Sequence, residues 1–300
     1  MPDVSDLGDV LVPLPGGHSG RTFVSEVAGE RSVVRLYPPD DPRGEQAPEV
    51  DEAVLRLVRG LVPVPEVLEL RRPRAYADEP GLLVTSWVPG ERGDLALAGP
   101  LDDAGRRALG AACGRVAGTL AGMPFLRAGA FADATLTLSD LPGDDLEEWV
   151  ATRLARWPDA DLGRLRAVAA RAQDHLDTVS RACLVHGDLN PKNLLVDTRR
   201  GRVTGVVDWE FAHAGHPWTD VGNLVRFDRD PAWVDGVLEA WTGLRGGDPA
   251  EVLEGARAAD LWALVDLAAR TGQNPVADRA EVLLRGIAAS GDLHAWPEGP

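Results

Sequence analysis

The ten residues Leu184–Asn193, LVHGDLNPKN, decide how this chain is read. They bring a histidine, an aspartate, two asparagines and the chain's only lysine into one short polar stretch behind an apolar run. Alone, the stretch is a polar turn between two strands, stiffened by Pro191. Fifteen residues past Asn193, a second apolar run closes on an aspartate, VVDWE at Val206–Glu210. Asp188 and Asn193 then stand five apart in a loop, and Asp208 follows a strand. An aspartate that accepts a proton, with an asparagine and a second aspartate to hold Mg²⁺, is the set that phosphoryl transfer from ATP requires. That chemistry asks for positioning and charge neutralisation more than for an intrinsically reactive side chain.

Composition narrows the field. The 300 residues allow one large domain or two smaller ones, and 44% hydrophobic with 26% charged residues is ordinary for a globular chain. A formal net charge of −16 repels phosphate backbones, which argues against nucleic-acid partners and is compatible with cationic small molecules. The start, MPDVSDLGDV, lacks a basic segment followed by an apolar run, and no run is long enough to span a bilayer. Cys113 and Cys183 lie among apolar or small residues without metal-type spacing, as buried thiols of a reducing, cytoplasmic protein do. With Lys192 the single lysine, any role that calls for a strand lysine falls to an arginine.

The order of elements is strands first, helices later. Residues 9–17, 21–30 and 31–37 read as a three-strand meander, followed by a helix from Pro48 to Gly60 and strands over 62–70 and 81–88. Helices are expected over 102–122, 144–157, 161–182, 231–243, 249–270 and 275–289, with short strands at 183–187, 193–197 and 203–209. The class is α+β in two lobes, residues 1–88 carrying a small antiparallel sheet and 89–300 mainly helical, with the connection near Pro89. Trp149, Trp157, Trp241 and Trp262 read as core, and acidic residues of the late helices, such as Asp260 and Asp266, as solvated faces. His213 and His216, three apart, are too thin a spacing for a metal site.

HGDLNPKN with VDWE behind it, and Pro217 and Asp220 in HAGHPWTDVGNL, resemble the aminoglycoside phosphotransferase family, which has a two-lobed protein-kinase-like fold; the likeness extends over roughly 15–290. The resemblance implies Asp188 as base or positioner of an acceptor hydroxyl, and Asn193 and Asp208 as Mg²⁺ ligands. It implies His186 as an organiser of the loop, and Asp220 as its tie from a helix. Backbone groups of Ser86, Trp87 and Val88 would meet the adenine edge, Leu195 would floor it, and Gly17, His18, Ser19 and Gly20 would turn over the phosphates. Where the family carries a strand lysine paired to a helix glutamate, this chain offers Arg35, with Glu52 as expected partner and Glu49 as the runner-up. A Leu-His pair common in the family is Leu120-Ala121 here.

The implied activity uses ATP or GTP with Mg²⁺ to phosphorylate a small-molecule hydroxyl, in a monomer or homodimer. An aminoglycoside-type antibiotic is the first acceptor, inactivated by the transfer. A metabolite such as a sugar, amino alcohol or nucleoside-like compound is the second. A nucleotide-binding pseudokinase is the third reading, supported by the absent strand lysine and opposed by Asp188, Asn193 and Asp208.

Overall fold

The alternating stretches RTFVSEV and ERSVVRLY form the centre of a five-stranded antiparallel sheet in a computed structural model that describes residues 11–14, 21–74, 79–141, 143 and 145–296. Its strands are β1 (Leu11–Pro13), β2 (Arg21–Val27), β3 (Glu30–Tyr37), β4 (Val67–Arg71) and β5 (Gly81–Ser86), in the order β1-β2-β3-β5-β4. Ala28 and Gly29, both at positive φ (55° and 84°), join β2 to β3 as a two-residue turn whose twist matches the strands. Pro63 and Pro65 lack the N–H a ladder needs, so the strand expected over 62–70 begins only at Val67. Helix α1 (Ala47–Val58) opens on Pro48 and buries Asp51, Val54, Leu55 and Val58.

The chain divides into two compact units, one made of Met1–Pro100, Ala130–Ser139 and Pro191–Ala212, the other of Leu101–Gly129, Asp140–Asn190 and His213–Pro300. The expected division at 88/89 differs because later segments return to the first unit. Strands β11 (Leu194–Asp197) and β12 (Arg202–Val206) form a hairpin, and β11 pairs with β6 (Glu91–Arg92) through Leu195↔Arg92 and Val196↔Glu91. Short helix α2 (Gly93–Ala98) follows β6, and β8 (Gly129–Phe131) pairs with β9 (Leu138–Ser139).

The second unit is built on α3 (Asp103–Leu120), α4 (Leu146–Arg153), α5 (Asp159–Leu176), α6 (Thr219–Val225), α7 (Pro231–Arg245), α8 (Pro249–Ala268) and α9 (Pro275–Ser290). Strand β10 (Ala182–Val185) pairs with β7 (Pro124–Phe125) and β13 (His213–Gly215). Side chains of Asp102, Asp145, Asp230, Asp248 and Asn274 accept first-turn amides of α3, α4, α7, α8 and α9, so these starts are fixed by local chemistry. The helix expected over 161–182 stops at Leu176, where the Thr178 hydroxyl donates to the His175 carbonyl and the chain turns into β10. Among the described residues no helix is long and apolar enough to cross a membrane. Burial pushes both cysteine thiols up to about 12, which leaves them unreactive.

Helices α3 and α7 touch backbone to backbone at glycines. A Cβ on Gly110 would lie 2.4 Å from the Trp233 carbonyl oxygen, one on Gly114 2.3 Å from that of Val237, and one on Gly236 2.2 Å from that of Arg107. Gly114→Ala should therefore cost about 2–3 kcal/mol, because the helices must part to admit the methyl. The opposite sign is expected at Gly163 in α5, whose Cβ would meet nothing within 4 Å. There Gly→Ala should add about 0.5–1 kcal/mol by restricting the unfolded chain. Thermal melts of the two variants check the contrast.

Candidate functional site

The second unit holds the loop that follows β10. Gly187 turns it at φ 79°, a conformation that favours glycine. Four consecutive amides are then tied down. Asp220, in the first turn of α6, accepts from His186 N–H at 2.9 Å and Gly187 N–H at 3.0 Å. The Asp188 N–H donates to His186 Nδ1 at 3.3 Å, and the Leu189 N–H donates to Asn223 Oδ1 at 3.0 Å. His186 and Leu189 are fully buried, while Asp188 between them is half-buried. Asn190 Nδ2 donates to Asp188 Oδ1 at 2.7 Å. Burial pushes the Asp220 carboxyl above its ordinary range, against the pull of His186 and the two amides it accepts.

The first unit holds Arg35, Asn193 and Asp208. Asn193 closes a 3₁₀ turn (Pro191–Asn193), is buried, and its carbonyl accepts the Val207 N–H at 3.0 Å. Asp208 sits in the left-handed region at φ 67°, ψ 60°, which costs a non-glycine residue about 1–2 kcal/mol. Strain held in place by its surroundings points to a site, not to a mere strand end. Arg35 donates from Nη1 to Asp208 Oδ1 at 2.8 Å and from Nη2 to Glu210 Oε2. The side chains of Arg35 and Glu210 are 16% and 7% exposed, that of Asp208 34%. Burial alone would lower the Arg35 pKa, but Tyr37 and the carboxylates of Asp208, Glu210 and Asp51 together more than offset it, so the guanidinium stays charged.

The expected Arg35–Glu52 pair does not form. Glu52 pairs with Arg56, at i,i+4 on α1, at 2.7 Å, and Glu49 pairs with Arg72. Helix α1 buries Glu49 and Asp51 but not Glu52, and the acid that meets β3 is Asp51. Asp51 accepts from the Tyr37 hydroxyl at 2.7 Å and Arg43 Nη1 at 2.8 Å. Glu210 was not anticipated as a partner of Arg35. Its only local signal is a second carboxylate two residues after Asp208.

Asn193 and Asp208 supply hard oxygen donors. Mg²⁺ takes one or two such side chains and completes its shell with phosphate oxygens and water, so this pair suits it and would not make a zinc site. Among the described residues no group of three or more His, Cys, Asp or Glu side chains is arranged to hold a metal ion. Of the residues expected at the adenine edge, Ser86 N–H is bonded to the Glu66 carbonyl at 2.8 Å and Trp87 N–H to that of Arg31 at 3.3 Å. The Val88 N–H and C=O have no hydrogen-bond partner among the described residues. A Cβ on Gly205 would touch Val88 Cγ1 at 2.7 Å and Leu195 Cδ1 at 3.4 Å, so Val88 and Leu195 converge on that glycine. Gly17, His18, Ser19 and Gly20 lie outside the described residues.

His216 is committed elsewhere. Its Nε2 faces the Leu176 carbonyl at 3.3 Å and its Nδ1 accepts the Trp218 N–H at 3.3 Å, which requires the neutral ring. Burial depresses its pKa to about 4. The folded value thus lies below the unfolded 6.5, so the stabilisation is present above pH 6.5 and is lost as pH falls toward 4. The loss should reach about 3 kcal/mol at pH 4. Denaturant unfolding between pH 7 and 4 should show it, and His216→Gln should flatten that limb.

The profile of the phosphotransferase enzyme family matches residues 10–254. Acyl-CoA dehydrogenase family member 10 of Mus musculus is 28% identical over 221 residues, 70% of this chain and 20% of that protein. Acyl-CoA dehydrogenase family member 11 of Mus musculus is 43% identical over 51 residues, 17% of this chain and 6% of that protein. The chain thus spans a fifth or less of the length of these curated relatives. Among solved structures, wild-type aminoglycoside 2'-phosphotransferase-IIIa in its GDP complex superposes with a TM-score of 0.68 at 18% identity, covering 97% of this chain and 96% of that one. A thermostable mutant of aminoglycoside phosphotransferase APH(4)-Ia, in a ternary complex with ADP and hygromycin B, gives 0.62 at 20% identity, covering 96% and 97%. These likenesses establish the kinase-like fold.

Proposed function

The chain belongs to the phosphotransferase enzyme family, and from that membership we propose that it moves the γ-phosphate of ATP or GTP to a hydroxyl of a small molecule, an aminoglycoside-type antibiotic in the first instance. The observation that carries the proposal is the loop in which the amides of residues 186–189 are all tied, which fixes the backbone from which the Asp188 side chain projects. Asp188 orients the acceptor hydroxyl and takes its proton. Asn193 and Asp208 hold Mg²⁺, which neutralises charge on the transferring phosphate. Arg35 provides a permanent cation for the nucleotide phosphates, Val88 offers the donor and acceptor that an adenine or guanine edge needs, and Leu195 underlies the base.

Support for the donor comes from solved relatives of this fold that carry ADP or GDP, and for the acceptor from those that hold hygromycin B or kanamycin. A net charge of −16 favours a cationic acceptor. A metabolite hydroxyl is the second reading, favoured by curated relatives whose names carry acyl-CoA dehydrogenases. Transfer of labelled γ-phosphate from ATP or GTP, with Mg²⁺, to a panel of aminoglycosides and metabolite alcohols tests both. Transfer to an aminoglycoside is expected. Transfer to metabolites alone selects the second reading, and firm nucleotide binding with no transfer to any acceptor would sink both.

A further inference from the structure

We propose that Asn223, Asp260 and Arg226 form a tether that fixes the direction of the catalytic loop, with Asn223 the positioning residue for Asp188. The proposal rests on the phosphotransfer reading of Asp188. All three side chains lie in the second unit and are shut away from solvent, at 2%, 3% and 5% exposure. Asn223 Oδ1 accepts the Leu189 N–H at 3.0 Å, and its Nδ2 donates to Asp260 Oδ1 at 3.2 Å. Arg226 grips Asp260 from the other side, through Nε to both carboxylate oxygens at 3.0 Å and through Nη2 to Oδ1 at 2.7 Å.

The chemistry of the three groups fixes their order. An ionised carboxylate can only accept, so the amide nitrogen of Asn223 must face Asp260 and its oxygen must face the loop. Arg226 fills Asp260 with donors from its far side, so the carboxylate meets Asn223 as an acceptor and keeps it from flipping. Asn223 and Asp220 stand three apart on one face of α6 and hold the amides on either side of Asp188. The third member sits on α8, which approaches α6 so closely that a Cβ on Gly222 would lie 2.4 Å from the Ala256 carbonyl oxygen. The α6–α8 register thus sets where the loop's Leu189 amide is held. A buried ion pair contributes little to stability that apolar side chains of similar volume could not supply, so what the tether adds is direction.

The test uses the full chain with water as acceptor. Asn223→Leu and the double variant Arg226→Met/Asp260→Leu are compared with wild type and Asp188→Ala. Melting temperature, calorimetric affinity for Mg·ATP, phosphate release from Mg·ATP and amide exchange at Leu189 are measured. The double variant exchanges the pair for apolar volume and should melt close to wild type. Both tether variants should keep nucleotide affinity within about threefold, exchange Leu189 at least about tenfold faster and release phosphate at least about tenfold more slowly. Wild-type Leu189 exchange and release in both variants would overturn the tether. So would a loss of nucleotide affinity that parallels the loss of rate, the signature of diffuse damage. Should Asp188→Ala release phosphate as fast as wild type, the failure is that of the catalytic reading, and Leu189 exchange still decides the tether.

Discussion

Asp188→Ala should lower phosphate transfer by at least about 100-fold, and by up to about 10⁴-fold, while leaving the protein folded. The two halves of that expectation have separate causes. The loop's backbone is held by groups other than the Asp188 side chain: Asp220 takes the amides of residues 186 and 187, His186 that of 188, and Asn223 that of 189. Truncation at Asp188 removes one oxygen partner of Asn190 and none of these ties. The melting temperature should therefore stay within a few degrees of wild type, and Mg·ATP affinity should change little. A positioned proton acceptor is worth its full effect only in the transition state, so kcat should carry the loss. Full turnover by Asp188→Ala would remove the residue from the reaction. A collapse in stability would mean that the loop leans on the carboxylate itself.

What the sequence made legible follows from range. Helix starts were readable because their causes are local: Pro48, Pro231, Pro249 and Pro275 each open a helix, and Asp230, Asp248 and Asn274 cap three of them. The return of residues 191–212 to the first unit was not, because it depends on a two-residue ladder between Glu91-Arg92 and Leu195-Val196, a hundred positions apart. Helix α6 is implied by the resemblance, as the helix that carries Asp220, but not by periodicity. It is seven residues long and buried from Asp220 to Val225, so it shows no polar face to give it a period. Asp260 was read as part of a solvated helix face and is instead buried against Arg226; no pattern within α8 distinguishes it from Asp266, which is partly exposed and pairs with Arg270. Glu52 is the instructive case. The apolar face of α1 through Val54, Leu55 and Val58 already places position 51, and not 52, toward the sheet. The family pattern points to position 52, and the periodicity of α1 overrides it. Glu210 had no comparable signal, since 175 residues separate it from Arg35.

That long-range pair sets the last expectation. Arg35→Met should cost about 3–5 kcal/mol of folding stability, because it removes the guanidinium that neutralises Glu210, whose side chain is buried. Adding Glu210→Gln should return most of the loss, since the neutral amide keeps the shape without the charge. Lysine would not substitute fully: a single ammonium cannot reach Asp208 and Glu210 with the two parallel donors of a planar fork. The same cycle separates structure from function. In the Arg35→Met/Glu210→Gln protein, stability is restored but the cation for the nucleotide phosphates is still missing, so Mg·ATP should bind at least about tenfold more weakly than to wild type. Chemical denaturation of the four proteins measures the coupling, and calorimetric titration measures the affinity. A double variant as unstable as Arg35→Met would show that Glu210 is not the group Arg35 stabilises. A double variant that binds Mg·ATP like wild type would make Arg35 a structural counter-ion, and the task of the strand lysine would then belong to no residue of β3.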